Sequence, residues 1–162
     1  MNIFHVINDW IHITMAVIWI GGIHYHFVIL GSSAKELEIA ARKTLTLAVF
    51  KRFTRIVWAS IILLVLSGTL KGIYLHAFYG LFASTYGWVL GIKLILVAAM
   101  IVIAILFTFV YGPQLKSLLS GDSSGNKEAL AGIQKKLNLM VKINMTFGFI
   151  ILLLVVILAM VR

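Results

Sequence analysis

The run at residues 94–115, LILVAAMIVIAILFTFVYGPQL, decides the fold class, because it holds 22 residues in a row without a charged side chain. A helix needs about 20 apolar residues to cross the hydrocarbon core of a bilayer. Lipid offers the backbone no hydrogen-bond partners, so only helices and closed barrels cross it. The run lacks the alternation of apolar and polar residues that marks a barrel strand. It is therefore predicted to be a transmembrane helix.

Three further charge-free stretches have the same character. Residues 10–34 give 25 uncharged positions, residues 56–70 give 15 and residues 143–161 give 19. The shortest of them lengthens to about residue 75 if Lys71 extends its ammonium group to the interface. The sequence thus predicts an all-α integral membrane protein, an up-down bundle of four transmembrane helices forming a single domain over residues 1–162. The predicted spans lie at about 9–30, 54–76, 86–111 and 139–161.

The composition excludes an ordinary soluble domain. Charged residues make up 12% of the chain and hydrophobic residues 62%, whereas soluble domains carry about 25% charged residues. The chain contains no cysteine. A disulfide framework and a thiolate metal site are therefore excluded as well.

The basic residues indicate the orientation of the bundle. Eleven of the 14 lysines and arginines lie in the segments 31–55 and 112–142, which fall on one side of the membrane. Basic segments tend to remain in the cytoplasm, so both termini are predicted to lie outside. The net charge of +9 is therefore a topological signal, and no nucleic-acid partner is predicted. The eleven are Lys35, Arg42, Lys43, Lys51, Arg52, Arg55, Lys116, Lys127, Lys135, Lys136 and Lys142.

The segments on the basic side are predicted to contain short helices. Ser33-x-x-Glu36 resembles a capping box, which would open a helix leading into the second span. Residues 128–136 are predicted to form a separate amphipathic helix at the inner interface. Residues 121–126, GDSSGN, predict a flexible turn.

Ionisable side chains within spans are functional candidates because burying them in lipid is costly. His12 lies at the outer end of the first span and His76 at the outer end of the second. Lys93 lies about 10 Å inside the third span. These three side chains are predicted to converge in one outer layer. His26 follows His12 by 14 residues, so it faces within about 40° of His12 near the other membrane face, beside His24.

Structural explanations compete with a functional one. Lys93 has no carboxylate within the spans to pair with, so it is neutral, reaches water, faces an anion or extends to the outer headgroups. His12 alternatively forms only an interhelical hydrogen bond. Whether His24 and His26 bind anything is left open.

The leading hypothesis is a b-haem-binding redox protein, or the small membrane subunit of a respiratory assembly. Histidines on facing helices are common haem ligands, so His12 and His76 would hold the iron. Lys93 would contact a propionate or a quinone. Copper is the alternative metal, because imidazole and thioether both bind it and Met15 lies one turn from His12, although methionine also fills gaps in a core. A structural or assembly subunit without a cofactor is the third hypothesis.

Four stretches follow one another along the chain: residues 16–22 (AVIWIGG) after His12, 51–54 (KRFT), 66–68 (LSG) and 86–94 (YGWVLGIKL). In this order they resemble the copper-resistance protein D (CopD) membrane domain. The resemblance covers about residues 10–105 and implies a multi-pass protein of a bacterial-type inner (plasma) membrane with a role in copper uptake. The HemJ-type protoporphyrinogen oxidase family is similar in pairing a histidine of the first span with a lysine of the third. That similarity implies that His12 and Lys93 are associated with haem or a porphyrin. Besides the bilayer, the expected partners are a quinone and a larger membrane complex or a homo-oligomer.

Overall fold

The computed structural model describes residues 3–120 and 127–161, and four long helical stretches account for most of them. Each stretch is long and apolar enough to cross a membrane, so the predicted up-down bundle of four helices is confirmed. The first comprises α1 (Ile3–His24), a π-helical segment (Tyr25–Leu30) and α2 (Gly31–Ser33), and the second is α3 (Ile39–Tyr74). The third comprises α4 (Thr85–Ile105), a second π-helical segment (Leu106–Tyr111) and α5 (Gly112–Ser120), and the fourth is α6 (Lys127–Met160). Two short 3-10 turns, Ala34–Glu36 and Ala77–Gly80, complete the chain.

The helices are longer than the predicted spans. α3 contains 36 residues, which gives a length of about 54 Å against a hydrocarbon core of about 30 Å. Many of the basic residues predicted to lie in a loop therefore lie on its first turns. The separate amphipathic helix predicted at 128–136 is wrong, since these residues are the first turns of α6. No proline interrupts either helix, and the only proline of the chain is Pro113.

The predicted capping box is also wrong. Ser33 lies at the end of α2, because the first helical stretch continues past the hydrocarbon-length span. The backbone becomes extended at Leu37, with φ −85° and ψ 149°. Glu38 then precedes α3 without a side-chain capping bond. The predicted turn at residues 121–126 lies outside the described residues.

The helices pack in pairs. α1 packs along α3 and also contacts α6, while α4 packs along α6. Outside this core, large apolar side chains face outward, and Val17, Ile95 and Leu153 are each more than 60% exposed. Such a surface matches lipid tails, which are as apolar as leucine. The buried core consists of Trp19, Ile23, Val57, Ile61, Met100, Ala104 and Ile151.

The two ends of the bundle differ. The basic end is the one where α2 leads into α3 and α5 into α6, and the turn end carries the Ala77–Gly80 turn. At the turn end, the ring of Phe78 lies over Gly72 and that of Phe82 lies over Gly91, where a Cβ atom would overlap the rings. The turn is thereby packed onto the ends of α3 and α4.

Both π-helical segments lie in the half of the bundle near the basic end. Well under 1% of residues in proteins are π-helical. A π segment holds one more residue per turn than an α-helix and occurs frequently at functional sites. The half of the bundle near the basic end is therefore a candidate functional region.

Candidate functional site

A row of polar side chains joins α1 to α3 at the turn end. His5, Asp9 and His12 lie one turn apart on α1, and this spacing places them on one face of the helix. Facing them, Ser67 and Lys71 lie one turn apart on α3, followed three residues later by Tyr74. The contacts between the two rows fix the geometry of the site.

Ser67 holds the imidazole of His12. The Nδ1 atom of His12 lies 2.8 Å from the Ser67 hydroxyl oxygen. That hydroxyl also lies within donating distance of the carbonyl oxygens of Leu63, at 2.6 Å, and Leu64, at 3.3 Å, and while it donates to either of them it accepts from the imidazole. His12 therefore carries its proton on Nδ1, and Nε2 keeps a lone pair. An imidazole oriented in this way through its other nitrogen is what a metal-ligating histidine requires.

Gly68 allows this close approach. A Cβ atom at Gly68 would lie 3.1 Å from Cε1 of His12. The imidazole thus packs directly against the backbone of α3. Asn8, which is 6% exposed, adds a bond from its side-chain amide to the Ser67 carbonyl oxygen at 3.0 Å.

Asp9 accepts hydrogen bonds from two further side chains of the row. One carboxylate oxygen accepts from Nζ of Lys71 at 2.8 Å and the other accepts from the Tyr74 hydroxyl at 2.8 Å. The ring of His5 stacks on that of Tyr74, with centroids 4.0 Å apart and planes 12° apart. Lys71 is thus neutralised by a carboxylate of α1, a pairing that sequence reasoning missed.

Lys93 reaches the same region from α4. It is half-buried and lies within electrostatic range of His12, as do Lys71 and Asp9. Among the described residues, Lys93 has no carboxylate partner. Because Lys71 and Asp9 offset one another, the imidazole of His12 lies in a field dominated by the ammonium group of Lys93.

His76 is not part of this row. It is exposed, it has a left-handed backbone with φ 51° at the end of α3, and its ring lies 6.0 Å from that of Tyr79. No contact between His76 and His12 or Lys93 is found in the described part of the chain. The structure thus brings His12 and Lys93 together and leaves His76 in the turn.

The other two histidines of the first span lie near the basic end. His26 stacks on Phe53 of α3 with centroids 4.9 Å apart. His24 is exposed and meets the edge of Phe149. Both His12 and His26 therefore contact α3, as their spacing along the helix predicts. Within residues 3–120 and 127–161, no three histidine, cysteine, aspartate or glutamate side chains come close enough together to hold a metal ion.

Comparison with known proteins gives one family. The model of the family described as Copper resistance protein D matches residues 47–158. This range covers most of α3 and the whole of α4 and α5, and reaches almost to the end of α6, whereas the resemblance read from the sequence covered about residues 10–105. The matched range includes Ser67, Lys71 and Lys93 but not His12. No curated protein and no solved structure matched the chain.

Proposed function

This chain belongs to the copper resistance protein D (CopD) family, and from that premise we propose that it binds copper within the membrane through His12. The observation that carries the proposal is the orientation of the imidazole. Its Nδ1 atom is engaged by Ser67, so Nε2 is the nitrogen available to a metal. Neutral imidazole suits copper well, and copper is here the cargo of the protein.

Met15 supports the same proposal. It lies one turn from His12 on α1 and is half-buried. Thioether sulfur is a soft ligand that favours Cu(I). His12 and Met15 would together supply a nitrogen and a sulfur donor from one helix face.

Direct binding tests this proposal. Purified protein is titrated with Cu(I) in competition with a coloured chelator. We expect one Cu(I) per chain, and His12→Ala should abolish this binding while Met15→Leu weakens it. The control is His24→Ala, which removes an exposed imidazole at the basic end. Unchanged binding in His12→Ala would overturn the proposal.

Haem is the second candidate, and the charge around His12 favours it. Two ammonium groups and one carboxylate lie within electrostatic range of this imidazole, a balance that suits an anion better than a metal cation. His12 fits the requirement for an axial ligand, and Lys93 would contact a propionate, or the oxygen of a quinone. His76, the second axial ligand predicted from the sequence, is exposed in the turn. Among the described residues, the site therefore provides one of the two histidines that a bis-histidine haem needs.

The variant Lys93→Gln distinguishes copper from haem as the ligand of His12. A unit charge about 10 Å away at an effective dielectric constant of about 20 contributes roughly 1.7 kcal/mol, or more than tenfold in affinity. If the ligand is Cu(I), removal of this positive charge should tighten binding by about tenfold. If the ligand is haem, the same variant should bind more weakly, and the wild-type protein should give Soret and α bands after haem-replete expression. A wild-type protein that binds neither would instead be a structural or assembly subunit.

A further inference from the structure

A small cavity lies in the half of the bundle near the basic end. Its volume is about 40 Å³, and its lining comes from all four long helical stretches. Four buried polar atoms of the lining have no hydrogen-bond partner among the described residues. They are the indole nitrogen of Trp19, Nδ1 of His26, the hydroxyl of Thr54 and the amide oxygen of Asn144.

These atoms belong to side chains that are held in place. Trp19 is 4% exposed and Asn144 is 7% exposed. His26 is fixed by its stacking on Phe53. An unsatisfied buried polar group costs about 1–3 kcal/mol, so four such groups would cost about 4–12 kcal/mol, a large part of the stability of a typical protein. A ligand that satisfies them together removes this cost.

The chemistry of the four groups identifies that ligand. The Trp19 indole can only donate a hydrogen bond, and the Asn144 oxygen can only accept one. A bare metal ion could bind the oxygen but not the indole N–H. Water donates and accepts, and the cavity has room for two or three molecules at about 15 Å³ each.

A larger cavity adjoins the small one. It has a volume of about 640 Å³, and its lining includes Arg42, Gln134 and Lys142 at the basic end. His26, Phe107 and Val141 line both cavities, so these side chains lie at the boundary between them. His26 and Phe107 lie in the two π-helical segments, so both irregular turns are located at this boundary.

The interior beyond the small cavity is mainly apolar, although it also contains Ser60 of α3, a polar side chain that is 1% exposed. Ile61, Met100 and Ile151 pack in the same core as the Trp19 ring, and Met100 is 1% exposed. On α1, Trp19 and His12 are seven residues apart, a rise of about 10 Å. On α4, Lys93 and Met100 have the same separation. One apolar layer, about 10 Å thick, therefore divides the small cavity from the polar row at the turn end.

We propose that these two cavities form a hydrated pathway that enters the bundle from the basic end, passes His26 and ends at Trp19. The layer around Met100 is the closed barrier of this pathway. A small hydrophilic cargo that enters from the basic end would cross only this layer to reach His12. The proposal concerns water access alone, so it stands or falls independently of copper or haem binding.

The four tryptophans of the chain make this testable in the unmodified protein. With ¹⁵N-labelled tryptophan in lipid nanodiscs, Trp10, Trp19, Trp58 and Trp88 give four indole N–H signals, which single Trp→Phe variants assign. We expect the Trp19 indole proton to exchange with water within seconds despite its burial. Trp58, whose indole donates to the Thr108 hydroxyl at 3.3 Å, should exchange at least tenfold more slowly. A Trp19 signal that persists for days in deuterated water would overturn the proposal.

A matched pair of variants tests the role of the cavity. Asn144→Leu removes a polar group of the small cavity at nearly constant volume and should slow Trp19 exchange at least tenfold. Thr146→Val changes a polar side chain on the exposed side of the same helix, outside both cavities, and should leave the rate unchanged. Thr54→Val provides a second cavity variant that preserves shape if Asn144→Leu does not fold. Equal rates in the cavity variants and the control would contradict the pathway.

Discussion

At the residue scale, the Ser67 hydroxyl links the backbone of α3 to the imidazole of His12 through hydrogen bonds. It donates to the Leu63 carbonyl within its own helix and accepts from His12 on the neighbouring helix. A serine whose hydroxyl donates to a carbonyl of its own helix can only accept a further hydrogen bond. The nitrogen of His12 that keeps a lone pair is therefore selected by a side chain on another span.

Ser67→Ala should weaken metal binding without removing the ligand. His12 would lose the acceptor that orients it, and loss of such supporting bonds typically costs 10–100-fold in metal affinity. We expect about a tenfold loss in the Cu(I) competition titration. Ser32→Ala is the control, because that hydroxyl also bonds a carbonyl of its own helix, at 2.8 Å, but lies at the basic end. Equal affinities in the two variants would refute the orienting role.

At the element scale, the close approach of α1 to α3 depends on small residues. Ser67 is 3% exposed, and the Gly68 backbone touches the His12 ring. Small residues at such crossings let helix backbones come together in membranes. The polar bonds of the row can form only because the two backbones are this close.

Gly68→Ala should displace the His12 ring. The new Cβ would lie 3.1 Å from Cε1, so the ring must move by a few tenths of an ångström and its bond to Ser67 must lengthen. Cu(I) affinity should fall by about tenfold with the helical circular dichroism unchanged. Gly21→Ala is the control on α1, since a Cβ there meets nothing within 4 Å. Wild-type affinity in Gly68→Ala would show that the contact does not control the site.

Phe82→Ala should loosen the turn end. The Phe82 ring fills the space over Gly91 and packs edge-on against Trp88 with centroids 4.9 Å apart. Loss of such an edge-on aromatic pair costs about 0.5–1.5 kcal/mol beyond the loss of buried area, which should appear as a lower melting temperature in detergent. Tyr79→Ala removes a ring that is 90% exposed and should leave the melting temperature unchanged. A loss of equal size in both variants would count against the packing.

At the scale of the whole molecule, polar chemistry is divided between two ends of an apolar bundle. The turn end carries the His12 row, and the basic end carries the two adjoining cavities and most of the positive charge. The core of Trp19 and Met100 lies between them. This arrangement is what passage of a cargo through the membrane would require.

The orientation of the bundle is open to a direct test, because the chain contains no cysteine. Ala83→Cys introduces a thiol at the turn end and Ser33→Cys introduces one at the basic end, both at exposed positions. From the distribution of basic residues, a membrane-impermeant maleimide should label Ala83→Cys in intact cells. It should label Ser33→Cys only after permeabilisation. The reverse pattern would place the basic end outside and contradict the predicted topology.

The four membrane spans were predictable because each depends on local sequence. Charge-free runs predict spans, since the cost of a charge in lipid does not depend on tertiary contacts. The ends of the helices were harder to predict, because turns beyond the hydrocarbon carry no such constraint. Thus α3 begins at Ile39 and not near residue 54. The ion pair of Asp9 and Lys71 was missed because each residue was assigned to an interface separately.

The sequence by itself determined the membrane class, the four helices and the depth of each ionisable residue, because hydropathy and helical rise act along one chain. Only the tertiary structure decided which of these residues meet. It placed Ser67 beside His12, kept His76 in the turn and gathered four unpaired polar atoms around one cavity. Helix rotation and crossing distance set such contacts, and these arise from packing between helices that lie far apart in the sequence.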